Sequence, residues 1–252
     1  MIQLTFLGSG GARVMLASQL LATGGLWFDL DGTRISLDPG PGALVHAKKK
    51  KLNPTSLDAI MLSHRHLDHC GDVNAMIEAM TQGGIRKKGT VYAPHDALEE
   101  DPVVLHYLRP YVDEIIRLEE RQTYRLGDLT FATSMRHHHG AVETYGFNFM
   151  LAGHTVSYIP DTAYFPELAN FYRGDILVIS VLLLESNVRI PHLAVPEARE
   201  IIAAVKPQTA ILTHFGLHVW QARPWEIAAR LQEDTGIKVI AARDGMTFTV
   251  AE

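Results

Sequence analysis

Four potential metal ligands crowd into His64-Arg65-His66-Leu67-Asp68-His69, directly after the apolar run Ala59-Ile60-Met61-Leu62. A run of that length and composition reads as a buried strand, and Gly71 followed by the apolar residues 73–80 reads as a turn into a helix. In extended backbone the two-residue period points His64 and His66 to one side. Asp68 and His69 then fall where the chain turns into the helix. A pair of histidines alone is an ordinary surface occurrence, whereas three histidines and an aspartate in the order H-x-H-x-D-H are a metal-ligand pattern. Imidazole with carboxylate suits zinc, iron, manganese or nickel, and not calcium, which takes oxygen ligands.

The chain has 252 residues and is 47% hydrophobic, enough for one large core in a layered α/β unit. A net charge of −5 argues against an extended nucleic-acid partner held by general electrostatics. Lys48-Lys49-Lys50-Lys51 is a local basic run that reads as a solvated loop or helix end. The single cysteine, Cys70, excludes an intramolecular disulfide, fits a reducing compartment, and reads as a packing residue rather than a ligand. The first residues lack the pattern of a signal peptide, and no run approaches the roughly 18 apolar residues that span a bilayer. The expectation is a soluble cytoplasmic protein without a membrane partner.

Alternation of Ile2, Leu4 and Phe6 with Gln3 and Thr5 predicts a first strand, ending in the loop Gly8-Ser9-Gly10-Gly11. That loop lacks the spacing and the Lys-Ser/Thr of a phosphate-binding P-loop, so it reads as a loop beside the active site. Residues 19–23, Leu26–Leu30 and Thr33–Leu37 read as strands, the last two joined through Asp31-Gly32 as a hairpin. Asp38 ends the third, either as a functional group or as a cap of the turn Pro39-Gly40-Pro41-Gly42 before a helix at Ala43. Further strands are expected at 57–62, 91–94, 115–118, 129–135, 145–151, 155–159, 176–184, 210–212, Lys238–Ala241 and Thr247–Val250. Helices are expected at 73–80, 102–108, 196–205 and 225–231. No internal repeat or linker is visible, so residues 1–252 read as a single domain.

Residues 64–69, the triplet His137-His138-His139, Asp161 and His214 each follow a predicted strand immediately. Ligands at the ends of several strands of one sheet can converge on a single edge. Six or seven ligands exceed the four of one tetrahedral zinc, which favours two metals about 3.5–4 Å apart. Asp161, with two oxygens, is the natural bridge; its alternative is a cap for residues 162–164.

Phe6-Leu7-Gly8-Ser9-Gly10, Asp38-Pro39-Gly40, residues 63–72, Tyr158-Ile159-Pro160-Asp161-Thr162 and Leu212-Thr213-His214 together resemble the successive motifs of the metallo-β-lactamase superfamily. The resemblance implies an αββα sandwich of two mixed β-sheets flanked by helices, with a dinuclear site along one edge. By motif matching it implies that His64, His66 and one histidine of the triplet bind a first ion. Asp68, His69 and His214 would bind a second, with Asp161 bridging. Counting forward from the strand at 129–135 favours His138, and counting back from Tyr145-Gly146 favours His139; His137 is the least favoured.

Asp161 stands where true β-lactamases commonly carry cysteine, which resembles the branches holding phosphodiesterases, RNase Z-like nucleases and glyoxalase II-like thioesterases. Residues 190–198 followed by 211–214 look most like phosphodiesterases of the PhnP type. That likeness puts His192 near the metals as an acid for the leaving group, against the alternative of a cap for the helix near Pro196. No long Gly/Pro-rich arm of the tRNA-processing kind is recognisable. The expectation is a metal-dependent phosphodiesterase acting on a small molecule or short phosphodiester. Two divalent ions, zinc before manganese or iron, would share a bridging hydroxide, with Asp68 orienting the nucleophile and His192 as the acid. The alternatives are a thioesterase or lactonase on the same site, a di-iron redox protein, and a non-catalytic binding module. Leu183-Leu184 and residues 164–172 could serve a homodimer interface or the core.

Overall fold

The computed structural model describes residues 1–151 and 153–250. Strands β1 (Ile2–Phe6), β2 (Leu26–Leu30), β3 (Thr33–Leu37), β4 (Ala59–Met61), β5 (Thr90–Ala93) and β6 (Glu114–Arg117) lie side by side in a first sheet. A second holds β7 (Thr123–Leu126), β8 (Leu129–Thr133), β9 (Phe147–Leu151), β10 (His154–Ile159), β11 (Ile176–Ser180), β12 (Thr209–Thr213) and β13 (Lys238–Ala241) in reverse order. The last strand, β14 (Thr247–Val250), returns to the first sheet beside β1.

The two sheets repeat one plan. In the first, β14, β1, β2 and β3 pair antiparallel and β3 to β6 pair parallel. In the second, β7 to β10 pair antiparallel and β10 to β13 pair parallel. No sequence period announces this, because the repeat lies in strand direction and not in residue identity.

Period-two alternation builds the layers. Every residue of β11 is buried. Ile176 and Val178 enter the core between the sheets, and Leu177 and Ile179 enter the core on the outer face. The inter-sheet core also takes Leu4, Phe28, Phe131 and Phe149, with the Phe28 and Phe149 rings meeting edge to face at 5.5 Å. Helices α1 (Ala12–Ser18), α2 (Ala43–Lys49), α3 (Leu67–Cys70) and α4 (Val73–Thr81) come from the first half of the chain. Ala43 and Ala47 of α2 and Met76, Ile77 and Met80 of α4 cover the outer face of the first sheet. Helices α5 (Val195–Val205), α6 (Leu217–Gln221) and α7 (Pro224–Thr235) cover the second sheet through Ile201, Val219 and Leu231. The result is the expected αββα sandwich of two mixed β-sheets flanked by helices, and among the described residues no helix is long and apolar enough to cross a membrane.

Several elements differ from the sequence reading. Residues 19–23 are not a strand, because α1 precedes them and ends at Gln19, left-handed at φ 51°, with its N–H on the Met15 carbonyl. The helix expected at 102–108 does not form: a π-type turn, Asp96–Glu100, precedes it, residues 102–105 are not helical, and a 3-10 turn, His106–Tyr111, follows and contains Pro110. The sequence reading passes over α6 and the half-exposed edge strand β7, which has no fully buried residue to mark it.

Candidate metal centre

The C-terminal ends of β4, β8, β10 and β12 deliver His64, His139, Asp161 and His214 to one edge of the sandwich. After β4 the chain stays extended to His66 (φ −65°, ψ 145°), then enters α3. His64 and His66 point inward, while Arg65 between them points away to Asp96, at 2.8 Å, and to Asp101.

Two quartets of ligand atoms result, His64, His66, His139 and Asp161 in one and Asp68, His69, Asp161 and His214 in the other. In the first, His66 Nδ1 is 3.1 Å from His64 Nε2 and 3.0 Å from His139 Nε2. In the second, His214 Nε2 lies 3.0 Å from His69 Nε2 and 3.2 Å from Asp68 Oδ2. Asp161 Oδ2 stands between them, 3.7 Å from His139 Nε2 and 3.5 Å from His69 Nε2. Nitrogens bound tetrahedrally to zinc at about 2.0–2.1 Å sit about 3.3 Å apart, so these spacings fit the ion. Asp161 Oδ1 is buried without a hydrogen-bond partner among the described residues, as expected of an oxygen facing a cation.

A third carboxylate aims both quartets. Asp38 Oδ1 accepts from Ser63 N at 2.6 Å, and Oδ2 accepts from Ser63 Oγ at 2.6 Å and Tyr158 OH at 2.9 Å. Oδ2 also takes His69 Nδ1–H at 3.0 Å, which fixes that tautomer and turns Nε2 toward the site. Ser63 Oγ, 3.0 Å from His64 Nδ1, extends the same control to the first quartet. Asp38 is therefore an orienting group rather than a mere turn cap. The sequence offered no signal for Ser63 or Tyr158 in this role, because their function depends on contacts across the two sheets.

Backbone strain collects here: Asp38, Ala12 and His214 have φ of 51°, 62° and 60°. The glycine loop explains part of it. A Cβ on Gly11 would lie 2.2 Å from the His214 ring, and Ala12 N donates to Asp68 Oδ2 at 2.6 Å.

The triplet separates by alternation. His137 is buried, with Nε2 2.7 Å from Tyr172 OH and Nδ1 3.2 Å from the Asp161 carbonyl. His139 is buried in the first quartet. His138, between them, faces outward, is exposed, and stacks on Phe165 at 4.2 Å. The candidate ligand His138 thus stands outside both quartets, and the other candidate, His139, stands within the first. His192 lies at the centre, with Nε2 3.1 Å from Asp161 Oδ2. It does not cap α5: Ala194 is the N-cap residue, and its N–H donates to Glu197 at 2.7 Å.

Burial, with His69 next, holds His64 well below the usual histidine range. Burial, with His139 next, pushes His66 down to about 4. Burial also lowers His139, so the first quartet offers neutral nitrogens. Burial opposes charge on His69 too, but Asp68, Asp161 and Asp38 outweigh it and raise that histidine well above its ordinary value. Burial would likewise raise Asp161, yet His214, His192 and His69 keep it well below the carboxylate range. The centre opens into a cavity of about 1420 Å³ bounded by α1, α6 and the segments 139–142 and 182–192.

Residues 33–215 match the beta-lactamase superfamily domain. An uncharacterized protein of Methanocaldococcus jannaschii is 31% identical over 253 residues, covering 97% of this chain and 94% of that relative. A ribonuclease Z of Clostridium botulinum is 33% identical over 122 residues, 47% of this chain and 38% of the relative. Among solved structures, a diphosphatase from the PhnP family superposes with a TM-score of 0.75 over 100% of this chain and 98% of its own, at 21% identity.

Proposed function

The chain belongs to the beta-lactamase superfamily, and on that premise we propose that it is a metal-dependent phosphodiesterase acting on small or short phosphodiesters. The observation that carries the reading is Asp161, one buried carboxylate common to both ligand quartets. The similarity to a ribonuclease Z and to a PhnP-family diphosphatase favours phosphorus over carbonyl carbon as the reacting centre. Two divalent ions, zinc first, held by the quartets would supply Lewis acidity toward a phosphoryl oxygen and bring the ionisation of water toward neutral pH.

The remaining roles belong to the chain. His64, His66 and His139 would hold one ion and Asp68, His69 and His214 the other, with Asp161 common to both groups. Asp68, fixed by the Ala12 N–H, keeps its carboxylate directed at the place from which water attacks. His192 lines the cavity and holds a proton at Nε2 against Asp161 Oδ2, since an ionised carboxylate can only accept. Carrying a proton on both nitrogens, His192 would give the Nε2 proton to a leaving oxygen and return to neutral imidazole.

Metal analysis and hydrolysis of bis(p-nitrophenyl) phosphate test the reading together. The wild-type chain is expected to hold two ions and to turn over the diester, and His66→Ala and Asp161→Ala to lose both properties. Turnover of thioesters or lactones with no turnover of any phosphodiester would replace this reading with the carbonyl one.

A further inference from the structure

The metal centre forms the floor of the cavity, and much of the wall surface above it is apolar. Its walls carry Val14 from α1, Leu67 at the start of α3, and Leu184 and Ile190 from the segment after β11, all exposed to solvent. Leu67 is 65% exposed and Val14 54%, which is unusual for large apolar side chains facing one opening. The segment is held at its base, where Leu182 N and Leu183 N donate to the Leu193 carbonyl and Val195 N donates to the Leu183 carbonyl. It is also tied to the metal centre, because His139 Nδ1 is 3.0 Å from the Pro191 carbonyl and His192 N donates to the Ile190 carbonyl. Apolar surface thus begins two residues from the proposed acid. Arg13 and Arg189 line the same cavity, and neither has an ion-pair partner among the described residues; Glu185 is the one further carboxylate on its walls. A cavity of about 1420 Å³ also exceeds the roughly 300–1,000 Å³ typical of small-molecule sites.

We propose that the substrate is an anionic amphiphile, a phosphodiester in which one substituent is an extended hydrocarbon or aryl group lying along the walls formed by Val14, Leu67, Leu184 and Ile190. This rests on the phosphodiesterase reading. The phosphoryl anion sits over the metal centre with the two guanidiniums nearby. Water adds to phosphorus, one P–O ester bond breaks, and the departing oxygen takes a proton, leaving a monoester and an alcohol.

The test is a series of p-nitrophenyl n-alkyl phosphates, methyl, butyl and octyl, each below its aggregation concentration, with the zinc-loaded full chain. Each methylene buried against the wall should raise kcat/KM by up to about fourfold. Ile190→Ser and Leu184→Ser should each reduce that slope. A flat or falling series, or a slope unchanged in both variants, overturns the inference. If no diester is cleaved, the phosphodiesterase reading fails, and the displacement of one alkylphosphonate by another judges the cavity alone. Octylphosphonate binding at least tenfold more tightly than methylphosphonate supports an apolar occupant, and equal binding overturns it.

Discussion

At His69 three carboxylates converge on one imidazole, and their combined field favours its protonated form in the metal-free chain. An ion entering the second quartet must expel that proton. Calorimetric zinc titrations in buffers of different ionisation enthalpy should therefore report proton release, and the apparent affinity should rise as pH rises toward the histidine's raised pKa. Gly11 makes a sharper single-residue prediction. The Cβ of Gly11→Ala would collide with the His214 ring at 2.2 Å, so the variant should retain one ion per chain and lose the second, measured by elemental analysis. His192→Gln should lower kcat about 10²- to 10⁴-fold on diesters with an alkoxide leaving group. It should matter far less for p-nitrophenolate, which needs no proton to depart. Equal losses on both would remove His192 as the acid.

Elements were legible where burial is one-sided or complete. The hairpin β2–β3 stood out because Asp31-Gly32 supplies two left-handed residues, φ 54° and 90°, between apolar runs. β13 and β14 have the bounds read from the sequence. The short helix α1 did not stand out, having seven residues, no acidic first turn and no side-chain cap. It matters because it forms one wall of the cavity. The ligand motif was equally readable, since His64, His66, Asp68 and His69 are adjacent in sequence. The choice within the triplet was not, because it depends on which residues of a short extended segment face inward. Two element-scale outcomes are expected. Glu197→Ala, which removes the acceptor of the Ala194 N–H at the start of α5, should cost about 1 kcal/mol, or roughly 2–4 °C in Tm. Phe149→Ala, which empties a ring from the core between β9 and β2, should cost about 3–5 kcal/mol in chemical denaturation.

For the molecule as a whole, the buried histidines set a pH optimum of stability in the metal-free state. Burial pushes His137 down to about 3, and His66 lies at about 4, both below the 6.5 of an unfolded chain. Between pH 6.5 and about 3 the unfolded state binds protons that the folded state refuses. Stability therefore falls with falling pH, by about 1.4 kcal/mol per unit for the fully buried His137. His69 has the opposite sign: its contribution is complete below pH 6.5 and is lost as pH rises toward its raised pKa. Urea unfolding of the chelated protein should show a maximum near pH 6.5, and zinc should move that maximum upward by requiring His69 unprotonated. The matching plan of the two sheets has a further consequence. His64, His66, Asp68 and His69 follow a strand of the first sheet, and His139, Asp161 and His214 follow strands of the second. Each quartet thus draws two ligands from either side, and neither half of the chain owns a chelate. The proposed metal pair is a rivet through the seam as well as a reagent, so a polypeptide whose halves have not met is inert toward its substrate and weak in its hold on metal.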